Sequence, residues 1–277
     1  MFIEERNLID TNNLINIFKP NYSKADSLFT QAKENISFDS KLSASEFYKV
    51  YQYSNGKKIR SLYEAFTLFY KTHQFEDAVL CGNQLIYHGA GFLSTDSYIT
   101  FMLELGQSYK NISNHENALK ILNYGQKLAP SNAGFPYVMA GIYNRIGDYN
   151  KRIEFLTQTL KNGPANVDLY YELAESYNTV NLPLESIKYY KRILFLKPEH
   201  IKARIELANT YIKEGKKLDN QMNSEDINSD DNKKILKIKK ELWINAENVL
   251  KEGLKYEIKN NILYQELQNL KKFKLNE

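Results

Sequence analysis

Four histidines, a single cysteine and one short glycine-rich stretch are the residues of this 277-residue chain with the most obvious capacity for chemistry. His73, His88, His115 and His200 stand far apart, and no two share the HExxH or Cys/His spacing that brings ligands to one metal ion. They read as scattered surface side chains, and no metal is expected. Gly89-Ala90-Gly91 lacks the later glycine and lysine of a phosphate-cradling loop, and it follows a helical pattern instead of a strand. Cys81 has no histidine partner and sits in a helical apolar pattern, which makes it a packed thiol rather than a nucleophile. The carboxylates read as solvated faces. Nothing here points to an enzyme, and no cofactor is expected.

What the residues do show is a repeat. From Ser97 to His200 the same residue types return every 34 positions, in units that start at residues 99, 133 and 167. Places four, seven, eight and eleven hold Met102, Leu105, Gly106 and Tyr109, then Pro136, Met139, Ala140 and Tyr143, then Tyr170, Leu173, Ala174 and Tyr177. These places share one face of a helix at 3.6 residues per turn. A later set, Ala118 and Leu122, Arg152 and Leu156, Ser186 and Tyr190, marks a second helix that ends at Pro130, Pro164 and Pro198. Breakers at Gly147-Asp148-Tyr149 and Asn181-Leu182-Pro183 separate the two helices. The small residue at place eight (Gly106, Ala140, Ala174, Ala208) lets the second helix approach closely. Tyr109, Tyr143, Tyr177 and Tyr211 recur at the packing place and are expected in the core. Each unit is a helical hairpin that must stack on its neighbours to bury its apolar stripe.

The period, the small residue at place eight, Tyr at eleven and Pro at thirty-two are similar to the tetratricopeptide (TPR) family. The resemblance implies an all-α, right-handed superhelical solenoid of helical hairpins with terminal capping helices. On that pattern residues 1–24 form an N-terminal capping helix, with Leu8, Ile9, Leu14, Ile15, Ile17 and Phe18 on it, and residues 25–98 hold two divergent units. Residues 99–200 hold three regular units. Residues 201–258 form an interrupted unit, and 259–277 a C-terminal capping helix. Six extra residues near 92–98 are expected as a longer loop, with Ser94 or Thr95 capping the next helix.

The interruption is the main departure. After Arg204, Leu207, Ala208 and Tyr211 the first helix is expected to stop at Gly215, with a flexible polar loop from Lys216 to Asn228. A helix then starts at Ser229-Asp230-Asp231, and Ile235, Ile238, Leu242, Ala246, Val249 and Leu250 are expected to share one of its faces, with no matching turns in the preceding hairpin to cover Ile235 and Ile238. The insertion, residues 216–241, therefore offers Ile235 and Ile238 as a second contact for a partner or another copy of the chain.

The resemblance also implies where a partner would sit. In such proteins places two, five, nine, twelve and thirteen of the first helices line a concave groove, where side-chain amides grip a peptide backbone. Here those places give Tyr137, Asn144, Arg145, Tyr171, Glu175, Asn178, Lys202 and Asn209 as the partner-binding residues. Place five is Tyr63, Leu103, Tyr137, Tyr171 or Ile205, so the lysine of the family's carboxylate clamp is absent.

Composition narrows the classes. A net charge of +4 is small for this length, and a pI near 8.7 is weak support for nucleic acid. Asp168 and Glu175 on the groove would repel phosphates, which disfavours an RNA-binding helical repeat. No run approaches the ~20 apolar residues of a membrane span, and the first residues lack the apolar run of a signal peptide. With one cysteine no internal disulfide can form, and a cytoplasmic protein is expected. The functional expectation is a scaffold that binds a peptide or helix of another protein. The alternatives are RNA binding and a regulatory subunit that associates through its inserted helix, including with a second copy of itself.

Overall fold

Four of the first helices stop in the same way, and the cause is local. The residues at place fifteen, His73, Ser113, Gly147 and Asn181, all adopt left-handed backbone, with φ of 60°, 62°, 83° and 61°. The next N–H then reaches back to a carbonyl five residues earlier: Gln74 to Phe69, Asn114 to Tyr109, Asp148 to Tyr143, Leu182 to Tyr177. This closure satisfies carbonyls that a helix end would otherwise leave orphaned. Of the four, only Gly147 adopts it without a Cβ penalty. The residue after the turn starts the next helix. Asn114 accepts the N–H of Asn117, and Asp148 that of Lys151.

The computed structural model describes residues 20–219, 221–222 and 230–275. Among these it contains helices α1 (Tyr22–Asn35), α2 (Ser40–Tyr53), α3 (Ile59–Lys71), α4 (Phe75–His88), α5 (Thr95–Asn111), α6 (His115–Leu128) and α7 (Gly134–Ile146). They continue as α8 (Tyr149–Asn162), α9 (Val167–Thr179), α10 (Pro183–Leu196), α11 (Ile201–Asp219), α12 (Asp230–Tyr256) and α13 (Asn261–Leu275). No strand occurs among the described residues. The all-α hairpin array expected from the repeat is observed. The expected N-terminal capping helix falls largely outside the described residues. The chain divides into two compact units between Ile142 and Tyr143, within α7.

In the first unit α1 to α6 pack each on the next in chain order. Ala32, Ala44, Phe66, Leu85, Phe101 and Leu122 are fully buried between them. Close approach at place eight is real: a Cβ on Gly106 would lie 2.5 Å from Leu122 Cδ2. The six extra residues do not form the expected loop throughout. Ser94 caps α5 through the N–H of Ser97, and residues 95–98 are helical, so α5 has 17 residues where α3 has 13.

In the second unit α8 to α13 likewise pack in sequence, and α13 also touches α11. Tyr143 and Tyr177, expected in the core, are half-buried, whereas Tyr109 and Tyr211 are buried. The difference has a partner in each case. Tyr143 stacks on Phe155 at 5.3 Å and Tyr177 on Tyr189 at 5.6 Å, rings that stand 34 residues apart in successive second helices.

The last hairpin departs from expectation at the end of its first helix. α11 does not stop at Gly215 but runs to Asp219, and Gly215 is buried because a Cβ there would meet Trp243 Nε1 at 2.5 Å. On α12 the buried residues are Asn232, Lys239, Trp243, Ala246, Leu250 and Gly253. Residues 232, 239, 246 and 253 recur every seven, with 243 and 250 between them, and across the hairpin Arg204, Ala208, Tyr211 and Gly215 are buried at matching three- and four-residue steps. Trp243 packs against Gly215 across the hairpin, and polar Asn232 and Lys239 continue the buried stripe of α12. Ile238, offered above as a second contact, is 50% exposed, and Ile235 is half-buried.

Candidate functional site

The face assigned to a partner begins in the second unit on α9, where Leu169, Tyr170, Leu173, Ala174 and Ser176 are buried and fix which side looks outward. Asn166 starts this helix by accepting the N–H of Leu169. Glu175 is then exposed and Asn178 half-buried. Tyr171, expected open in the groove, is half-buried instead. Its ring meets Tyr190 edge-on at 5.8 Å, lies parallel to His200 at 6.0 Å and carries Lys202 Nζ at 4.5 Å from its centroid. Burial, with Glu206 and Glu175 near, pushes the Tyr171 phenol well above its ordinary value. The ring therefore packs as well as faces outward.

Glu175 is held from below by a residue the repeat does not ask for. Arg152 occupies the place that is Ala118 one period earlier and Ser186 one later, and it is 4% exposed. Its guanidinium donates to Glu172 Oε2 at 3.3 Å and Glu175 Oε2 at 3.4 Å, while its Nε has no partner among the described residues. A buried cation thus sets the orientation of a surface carboxylate. The sequence signal was available, since Arg152 interrupts a small-residue column.

Further along, α11 presents Lys202 exposed and Asn209 half-buried. Asn209 and Ile212 join Lys213, Lys216 and Lys217 around a cleft of about 480 Å³. Lys217 donates to Asn181 and to Glu214. Lys213 is place thirteen of the fourth unit, whereas Lys216 and Lys217 lie past Gly215 on the helical prolongation and so were not among the residues expected from the repeat. Glu206, one residue past Ile205, is pushed up by burial; Lys202 opposes the shift and Glu175 and Glu266 add to it. Asn144 and Arg145, on the end of α7 that belongs to this unit, are exposed. Tyr137 belongs to the first unit and is 48% exposed.

Among the described residues no group of three His, Cys, Asp or Glu side chains is placed to hold a metal ion. Burial pushes the Cys81 thiol well up, as for a packed thiol. No helix among the described residues is long and apolar enough to cross a membrane.

No protein-family model matches the chain, and no curated protein matches it by sequence. Solved structures do match. The C-terminal part of a TPR repeat-containing protein from Cytophaga hutchinsonii superposes with a TM-score of 0.55 at 10% identity, over 89% of this chain and 99% of that one. The MamA protein superposes with a TM-score of 0.50 at 17% identity, over 73% of this chain and 97% of that one. Repeat spacing, the shared place-fifteen turn and these superpositions converge: the chain has the tetratricopeptide-repeat fold.

Proposed function

We propose that this chain is a non-catalytic, cytoplasmic scaffold that holds a peptide or helix of a partner protein along the outward face of its first helices. The observation that carries the reading is the α11 cleft. Asn209 and Ile212 follow from the repeat register as groove places, and both line an open cleft in the structure. An amide with donors and acceptors suits a peptide backbone. Lys213, exposed at the cleft, adds positive charge, which favours acidic residues in the peptide. Glu175 and Glu206 on neighbouring first helices weigh against a phosphate backbone as ligand.

Affinity capture with mass spectrometry, run in parallel on the wild type and on Asn209→Ala with Lys213→Glu, tests this. A partner that is enriched by the wild type and lost with the variant, while the helical melting curve is unchanged, supports the groove. Equal capture by both proteins rejects it. RNA recovered in place of protein, with steep loss on adding salt, would move the chain to the other class.

A further inference from the structure

We propose that the outer face of the α12 extension is a second docking surface, shaped for an acidic amphipathic helix of a partner protein. α12 has 27 residues where α8 and α10 have 14, so 27 − 14 = 13 residues lengthen it by ~20 Å. Its inner face carries the buried Asn232, Lys239 and Trp243. The outer face is not plain solvated helix. Lys233, Leu236, Lys237, Lys240, Glu241 and Ile244 surround an open cleft of about 390 Å³.

The spacing and charge of those residues identify the occupant. Residues 233, 237, 240 and 244 recur at four, three and four, the step at which one helix meets another laid alongside it. Leu236 is half-buried and Ile244 is 52% exposed, which leaves apolar area for an incoming Leu or Ile. Lys233 is engaged by Asp230 and Lys234 by Asp231. Lys237 and Lys240 are exposed, with no ion-pair partner among the described residues. A helix with its own apolar stripe flanked by Glu or Asp complements both features. A lipid surface fits less well, because two apolar side chains set between lysines and beside Glu241 offer little to insert. Nucleic acid fits less well too, since Glu241 repels phosphate and the apolar pair has no hydrogen bonds to give. The surface uses none of the residues of the α11 cleft.

The probe is a fluorescein-labelled peptide of about 21 residues, three heptads, with Leu at a and d and Glu at e and g. Its anisotropy is followed as the full chain is added at low salt. Binding to the wild type is expected, weakened by about tenfold or more in Lys237→Glu with Lys240→Glu and in Leu236→Ser with Ile244→Ser. The doubly charge-reversed protein is expected to bind instead a peptide with Lys at e and g, which a misfolded variant would not do. The Asn209→Ala, Lys213→Glu protein is expected to bind the acidic peptide as the wild type does, which separates this surface from the α11 cleft. The proposal is overturned if the wild type fails to bind at about 1 mM peptide, if both surface variants bind undiminished, or if only anionic phospholipid vesicles or an RNA oligonucleotide bind.

Discussion

The rings of Tyr177 and Tyr189 lie parallel within 9° at a centroid distance of 5.6 Å, and one period earlier Tyr143 and Phe155 lie parallel within 5° at 5.3 Å. The place-eleven ring is thus clamped by its own hairpin instead of being sealed in the core. Tyr177→Ala and Tyr143→Ala should each cost about 1–3 kcal/mol, less than a fully buried ring, because part of each face is already wet. Tyr171→Ala should fall in the same range, given its contacts with Tyr190 and His200. Tyr137→Ala should cost the least. Urea melts followed by far-ultraviolet circular dichroism rank the four, and a neutral Tyr171→Ala would contradict the packing described.

Two glycines on successive first helices should respond to alanine with opposite signs. At Gly106 the new Cβ would strike Leu122 Cγ at 2.6 Å, and Leu122 is fully buried, so Gly106→Ala should destabilise by about 1–3 kcal/mol. At Gly141 the nearest atom is Lys110 Nζ at 3.4 Å, the far end of a flexible side chain. There the gain in helix propensity should dominate, and Gly141→Ala should stabilise by about 0.5–1 kcal/mol. Thermal melts of both variants decide the point.

Glu206 sets a pH dependence whose sign is fixed by its surroundings. Burial raises its pKa in the folded chain, so the fold binds this proton more tightly than the unfolded chain does. Stability from this group is fully present below the ordinary carboxylate range and is lost as pH rises through the raised value. Glu206→Gln should therefore raise the urea midpoint near neutral pH. The gain should shrink as pH falls and vanish below about 4, where the wild-type carboxyl is protonated in both states. A gain that persists there would trace to packing instead.

The repeat was legible because its determinants are local. Place fifteen fixes the turn through one backbone conformation, whether His73, Ser113, Gly147 or Asn181 supplies it. The half-burial of Tyr143 and Tyr177 was harder to see, since it depends on Phe155 and Tyr189, which the pattern of places four to eleven does not include. Arg152 was visible as an oddity in a small-residue column, but its carboxylate partners required the fold. On the extension, counting apolar residues selects Ile235 and Ile238, whereas the side chains buried there are Asn232 and Lys239, with Trp243 seated against Gly215. Lysine's apolar stem makes such burial tolerable, and Lys239 Nζ sits 4.7 Å from the Trp243 ring. Apolar counting cannot register either contribution.

Trp243 is the only tryptophan in the chain, and it is buried at the base of the extended hairpin, against Gly215 and under Lys239. Its emission consequently reports one hairpin of the second unit and is blind to the first. In an array whose helices pack mainly on their chain neighbours, cooperativity between units is a quantity to be measured, not assumed. The molecule carries its own two-channel readout for that: ellipticity averages every helix, fluorescence follows a single locus, and any gap between the two transitions measures how strongly the repeats are coupled.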